Sequence, residues 1–119
     1  MLKNNQGMNR VFKSLVIAAG LLSFSAAYAD DIAEGKKVAE NRKKGNCLGC
    51  HYIEGGAVPG NIGPPLVAMK ARFPNKSDLR SQIYDATLKN PYSIMPPFGK
   101  HGALSDKEVD LITEYVYSL

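Results

Sequence analysis

The stretch Cys47-Leu48-Gly49-Cys50-His51 determines how the rest of this chain is interpreted. The spacing C-x-x-C-H is typical of covalent haem attachment, in which each cysteine sulfur forms a thioether with a vinyl group of the porphyrin. Two intervening residues hold both sulfurs at one edge of the macrocycle, and His51 follows as a proximal axial ligand of the iron. The sequence therefore predicts one covalently bound haem c, attached through Cys47 and Cys50.

Other uses of paired cysteines fit this sequence less well. A redox-active C-x-x-C pair would lie in a βαβ setting, and no such pattern is present. A structural zinc site needs four ligands. The chain has two cysteines and two histidines in total, and adjacent Cys50 and His51 could hardly both reach one tetrahedral metal. We therefore expect haem attachment rather than a disulfide or a zinc site.

Residues 1–29 have the three parts of a secretory signal peptide. A positively charged start without acidic residues is followed by an apolar run over residues 15–22 and by an Ala-Tyr-Ala sequence that ends at Ala29. The pattern predicts cleavage after Ala29, export to the periplasm and a monohaem domain over residues 30–119. The alternative is a retained membrane anchor, but the apolar run is shorter than the roughly 20 residues that span a bilayer.

Removal of this segment would change the charge of the protein. The whole chain has 15 basic and 11 acidic residues, for a net charge of +4. Three of the basic residues and none of the acidic ones precede residue 30, so 12 and 11 would remain and the net charge would be +1. The remaining sequence has no basic stripe, so nucleic acid is not an expected partner. No membrane span is expected after cleavage.

The mature sequence predicts one small all-α domain, with three main helices, one short helix and two loops rich in glycine and proline. A domain of this size buries little apolar surface, so we expect the haem to complete the core and the apo chain to be poorly folded. The predicted helices begin at Asp31–Glu34, Leu66, the N-cap Ser77 and the capping box Ser105–Glu108, and they end before Gly45-Asn46, at Arg72, at Asn90-Pro91 and at Leu119.

Gly35 lies inside the first predicted helix, where glycine costs about 1 kcal/mol relative to alanine. Two explanations are open at this point. Either another helix passes close to this position, or the glycine is simply tolerated at the surface.

Met95 is the predicted distal ligand of the iron. Met69 lies 18 residues after His51, in a run with helical character. The chain must pass round the edge of the macrocycle to reach the opposite face of the haem, and a helix of that length is poorly suited to such a turn. Met95 lies 44 residues after His51, beyond a full helix, and two prolines that favour an irregular loop follow it. A thioether favours ferrous iron and suits an electron acceptor. The alternatives are a core role for Met95 and ligation by His101.

The order of these features resembles class I c-type cytochromes. The haem signature is followed by Gly63-Pro64-Pro65-Leu66, by a Met-Pro loop and by a C-terminal amphipathic helix. The resemblance implies that the first and last helices cross, with Gly35 near Tyr115. It also implies that the carbonyl group of Pro64 accepts a hydrogen bond from His51.

A narrower resemblance is carried by residues 90–102, Asn-Pro-Tyr-Ser-Ile-Met-Pro-Pro-Phe-Gly-Lys-His-Gly, together with Leu104-Ser105-Asp106-Lys107-Glu108. These segments are similar to the SoxX family, the small monohaem subunit of the SoxAX cytochrome complex of bacterial sulfur oxidation, and the similarity covers about residues 45–119. It implies a heterodimer with a SoxA-like larger cytochrome subunit. The smaller subunit would take the electrons released when thiosulfate is joined to a cysteine of a carrier protein, and pass them to a downstream cytochrome c.

The resemblance also implies that the conjugating chemistry lies on the larger partner. This chain agrees with that division, because both cysteines are consumed by haem and no thiol remains as a nucleophile. His101 has no evident relay partner, so we expect it at the surface rather than as a general base. The other functions left open are a free-standing soluble monohaem carrier and a haem sensor or enzyme. The last of these needs an open iron position, which a Met95 ligand argues against.

The second of the two predicted loops, over residues 91–99, is rich in uncharged residues. They either pack inward or form a docking surface beside the haem edge, and the sequence leaves both open. These residues are Tyr92, Ile94, Pro96, Pro97 and Phe98.

Overall fold

The computed structural model describes residues 26–119 and has no strand in that range. It divides the chain into two units, Met1–Asp30 and Asp31–Leu119, and the second unit contains every predicted haem-site residue. The prediction of an all-α domain with three main helices and one short helix is confirmed. These helices are α1 over residues 26–40, α2 at Met69–Arg72, α3 at Lys76–Tyr84 and α4 at Asp106–Tyr117, with single 3-10 turns at Cys47–Gly49 and Ala86–Leu88.

The predicted signal peptide falls mostly on residues 1–25, which lie outside the described residues, so its cleavage after Ala29 stays a prediction. Among residues 26–119, no helix combines the length and the apolar character needed to cross a membrane.

Helix α4 begins as its sequence predicts. Ser105 and Glu108 form a reciprocal capping box, in which the Ser105 hydroxyl accepts from the Glu108 amide at 3.3 Å and the Ser105 amide donates to the Glu108 carboxylate at 2.9 Å. The apolar positions of the helix face inward, and Val109, Ile112, Tyr115 and Val116 are all buried. The helix packs against α3 and α2 and forms one wall of the core.

Helix α3 differs from its prediction at both ends. Its N-cap is Asn75, because the backbone of Asn75 is extended and the helix begins at the next residue. Ser77, the predicted N-cap, lies inside the first turn. It ends at Tyr84 rather than at Asn90-Pro91. The reason is Asp85, which is extended and whose carboxylate accepts from the Thr87 amide at 3.1 Å, so that a separate 3-10 turn begins there.

The other helices also have shifted bounds, and α4 ends at Tyr117 rather than at Leu119. Helix α1 includes residues before the predicted start at Asp31 and ends at residue 40, since the amides of Lys44 and Asn46 turn back to the Asn41 carbonyl at 3.0 and 3.1 Å. Helix α2 is a single turn that begins at Met69 rather than Leu66, and it ends at Arg72 as predicted.

Helices α1 and α4 pass in direct contact at Gly35. A Cβ atom at this position would overlap the carbonyl oxygen of Leu111 and would lie 2.9 Å from the Cβ of Tyr115. The first explanation for the helical glycine is therefore correct, and Gly35 lies near Tyr115 as the cytochrome resemblance implied. The absence of a side chain is what lets the two backbones approach.

Candidate haem site

A single cavity brings the predicted haem-site residues together. It has a volume of about 390 Å³, and its lining includes Cys47, Cys50, His51, Pro64 and Met95. Most of the remaining wall is apolar and comes from helices α2, α3 and α4 and the loops: Ile62, Leu66, Met69, Phe73, Leu79, Ile83, Ile94, Phe98, Leu104, Ile112 and Val116. Two thiols, an imidazole and a thioether within an apolar cavity match the donor set that haem c requires.

The two cysteines lie on one tight turn. Residues Cys47–Gly49 form a 3-10 turn, in which the amides of Cys50 and His51 both donate to the Cys47 carbonyl at 3.2 and 2.9 Å. Both thiols are half-buried and are not joined in a disulfide. Burial raises the pKa of the Cys47 thiol to about 11, so this thiol stays protonated at neutral pH and is a poor nucleophile as it stands.

The ring of His51 is oriented by the following loop. Its Nδ1 atom lies 2.7 Å from the carbonyl oxygen of Pro64 and donates to it, which leaves Nε2 as the nitrogen available to a metal. The loop is itself fixed on both sides of this contact. The Gly63 amide donates to the Cys50 carbonyl at 2.8 Å, and Arg72 Nη1 donates to the Pro65 carbonyl at 2.6 Å.

Gly63 has a role that the sequence did not reveal. A Cβ atom at this position would lie 2.5 Å from Cε1, 2.7 Å from Nδ1 and 3.0 Å from Nε2 of His51. The imidazole therefore rests directly against the glycine, in space that any side chain would take. The Gly-Pro-Pro sequence was the available signal, but it was interpreted through the Pro64 carbonyl, and no role was assigned to Gly63.

Of the three candidate distal ligands, Met95 and Met69 line the cavity and His101 does not. Met95 is half-buried, and its backbone amide donates to the Ser93 hydroxyl at 3.2 Å. Met69 is 1 % exposed and belongs to the core, with its sulfur 3.4 Å from Arg72 Nη1. His101 is exposed. The fold thus brings Met95 and His51 to one cavity and leaves His101 outside it.

The apolar residues of the second loop are divided between core and surface. Phe98 is half-buried and packs against the hydrophobic core. Tyr92 and Ile94 are 91 % and 79 % exposed, although both also line the cavity. The inward packing that the sequence left open therefore occurs at Phe98, and the docking surface stays a prediction for the exposed Tyr92 and Ile94.

Sequence reasoning also missed two charged contacts near the site. One is the Arg72 hydrogen bond to the Pro65 carbonyl, for which a basic residue shortly after the Gly-Pro-Pro loop was a weak signal. The other is an ion pair of 2.9 Å between Lys100 and Asp85, an aspartate that is only 4 % exposed. These two partners are 15 positions apart in the sequence, and no pattern in that interval could have paired them.

Comparison with known proteins identifies the type of domain. The family model described as cytochrome c oxidase, cbb3-type, subunit III matches residues 30–116. A curated relative, an uncharacterized lipoprotein of Aquifex aeolicus (strain VF5), is 34 % identical over 76 residues, which are 63 % of this chain and 37 % of the relative. The chain thus matches little more than a third of that relative's length. From the family match, together with the haem motif and its cavity, we conclude that this chain belongs to the c-type cytochrome family described as cytochrome c oxidase, cbb3-type, subunit III, whose domain carries covalently bound haem c.

Proposed function

We propose that this protein transfers single electrons through one haem c, attached by Cys47 and Cys50 and ligated by His51 and Met95. The observation that carries the proposal is the one apolar cavity to which all four side chains contribute. When bound, the haem supplies an iron that changes reversibly between the ferric and ferrous states. The residues of the chain would fix its ligands and its surroundings.

Each of these residues has a distinct task in this proposal. The Pro64 carbonyl holds the His51 ring in one tautomer and makes it a better donor to the metal. The thioether of Met95 is a soft ligand that favours ferrous iron and so raises the reduction potential. The apolar walls exclude water, which disfavours the more highly charged ferric site.

A haem sensor or enzyme is the class of function that this ligand set opposes, because such proteins need an iron position open to a small molecule. Optical spectra of the oxidised and reduced protein distinguish the two classes. We expect a six-coordinate low-spin haem in both states. A five-coordinate reduced form would contradict electron transfer through a His51–Met95 site.

At a finer level, we propose a role as the SoxX-like subunit of a thiosulfate-oxidising complex, next to a SoxA-like larger cytochrome subunit. Residues 90–102 support it through their resemblance to that family. The exposed side chains of Tyr92 and Ile94 support it too, because they offer an apolar docking surface at the cavity. Joining thiosulfate to a cysteine thiolate releases two electrons, which one haem would pass on singly to a downstream cytochrome c.

A free-standing electron carrier is the second candidate. The family comparison does not favour the sulfur-oxidising complex over it, because the matching model is described as an oxidase subunit and not as a sulfur-oxidising one. Affinity purification of the native protein from its host separates the two candidates. A larger cytochrome that co-purifies in equal amount supports the complex, and a haem protein that migrates alone supports the carrier.

Export to the periplasm, with cleavage after Ala29, completes the proposal. The support comes from the signal-like pattern in residues 1–29 and from the covalent haem that the family implies. Intact mass spectrometry should find a chain that begins at Asp30 and carries one haem. An uncleaved chain would contradict this part of the proposal.

A further inference from the structure

The loop that carries Met95 is fastened to the end of helix α3. The carbonyl oxygen of Tyr84, the last residue of that helix, accepts hydrogen bonds from the amides of Gly99 and Lys100 at 3.1 and 3.2 Å. The side chain of Lys100 then reaches Asp85, with its Nζ atom 2.9 Å from Oδ2. Two consecutive residues of α3 and its cap thus hold two consecutive residues of the loop.

Asp85 is the centre of this attachment. One carboxylate oxygen accepts from the amide of Thr87 at 3.1 Å and from its hydroxyl group, and the other oxygen faces Lys100. The hydrogen bond from the Thr87 hydroxyl, with that from Lys100, lowers the pKa of the Asp85 carboxyl below its ordinary value. Burying a carboxylate that is 4 % exposed costs free energy unless such partners are present. The pairing with Lys100 is therefore favoured, and it holds the Lys100 side chain in place.

Met95 lies between this attachment and a short local turn. On its N-terminal side, the Ser93 amide donates to the Asn90 carbonyl at 2.9 Å and the Ser93 hydroxyl accepts from the Met95 amide at 3.2 Å. On its C-terminal side, two prolines supply no amide donors before the contacts of Gly99 and Lys100 begin. The Asp85–Lys100 pair is therefore one of the contacts that fix the position of this loop and of the Met95 thioether. The others are the backbone bonds to Tyr84, the bond of 3.1 Å from the Leu104 amide to the Phe98 carbonyl and the packing of Phe98 against the core.

We propose that the Asp85–Lys100 ion pair is a positioning device that keeps the Met95 thioether in the cavity and so sets how readily another ligand can displace it. This inference rests on the proposed ligation of the iron by Met95. Its effect differs from general stabilisation of the fold, because it acts on the loop that bears the ligand.

Imidazole binding to the oxidised, haem-loaded protein tests the inference. Displacement of methionine by imidazole is followed through the loss of the far-red methionine–iron band, and global stability is measured separately by guanidinium unfolding. The variants are Asp85→Asn, which retains an acceptor for Thr87 but loses the charge, Lys100→Met, and the two combined. Lys44→Met is the matched control, since it removes an ion pair of 2.8 Å with Glu108 on a lysine of similar exposure.

Each single variant of the pair should raise the apparent imidazole affinity by roughly three- to tenfold. This factor corresponds to the contribution of one charge-assisted hydrogen bond, which is lowered here because the lysine is exposed to solvent. The double variant should exceed neither single variant appreciably, because both changes remove the same contact. The control should change affinity by less than about twofold. If Asp85→Asn does not fold, Lys100→Met carries the test.

Three results would overturn the inference, and they are distinguishable. Loss of unfolding stability with unchanged imidazole affinity would make the pair merely structural. An equal rise in affinity for the Lys44→Met control would make the effect nonspecific. Absence of the methionine–iron band in the unaltered protein would defeat the proposed Met95 ligation as well, whereas its presence with no response to the variants defeats only this inference.

Discussion

Substitution of Gly63 by alanine should disturb the proximal ligand without touching the haem attachment residues. The added Cβ would lie 2.5 Å from Cε1 of His51, whereas ordinary contacts of a Cβ atom begin near 3.4 Å. The ring must therefore retreat by about 0.9 Å, the difference between these two distances. Because Gly63 and Pro64 are adjacent, this retreat also draws the ring away from the Pro64 carbonyl.

The size of the effect follows from the hydrogen bond that is lost. A retreat of 0.9 Å along the present contact of 2.7 Å gives a separation of about 3.6 Å, at which no hydrogen bond remains. Such a bond contributes about 1 kcal/mol, and for one electron this corresponds to about 40 mV. Since the bond makes His51 a stronger donor, which favours ferric iron, its loss should raise the midpoint potential by up to about 40 mV.

Spectroelectrochemical titration of the haem-loaded protein measures this shift. Gly55→Ala is the control, because it adds the same methyl group to the same loop but nothing lies within 4 Å of the new Cβ. Its φ of +75° costs some stability for alanine, yet the midpoint potential should stay the same. Equal potentials for the Gly63→Ala and Gly55→Ala proteins, with intact low-spin spectra, would refute the proximal role of Gly63.

Two further predictions concern the helix contact and the docking surface. Gly35→Ala should lower the free energy of unfolding by about 2 kcal/mol, because overpacking against Leu111 costs up to about 3 kcal/mol and the better helix propensity of alanine returns about 1 kcal/mol. The control Ala33→Gly, on the exposed face of α1, measures that propensity difference alone. Unchanged or higher stability of Gly35→Ala in guanidinium unfolding would contradict the close contact. Tyr92→Glu should weaken binding of the co-purifying partner by about tenfold or more and leave the haem spectrum unchanged. The control Leu88→Glu changes a residue that is 73 % exposed and does not line the cavity, so it should leave binding intact. Equal effects of the two substitutions in a binding titration would count against this docking surface.

The parts of the fold that local sequence determines could be predicted well. The haem motif is a local arrangement, since its two cysteines and histidine lie within five residues on one turn. The capping box of α4 is local in the same sense, because Ser105 and Glu108 satisfy each other's backbone groups within a single helical turn. Neither feature needs a partner from elsewhere in the chain.

Two of the features that sequence reasoning missed depend on partners that are distant in the sequence. Helix α3 stops at Tyr84 because the buried Asp85 is occupied by Thr87 and by Lys100, which lies 15 residues away. The importance of Gly63 depends on where the ring of His51 comes to lie, which the spacing of the motif does not specify. The sequence shows that these residues are present, but their contacts depend on the fold.

The most direct test of the proposed function is the oxidised optical spectrum of the Met95→Ala protein. Ligation of iron by a methionine sulfur gives a weak charge-transfer band in the far red, and the unaltered protein should show it. We expect the band to vanish in Met95→Ala and to survive in Met69→Ala, because the Met69 sulfur is packed in the core beside Arg72. Survival of the band in Met95→Ala, with its loss in Met69→Ala, would contradict the His51–Met95 site.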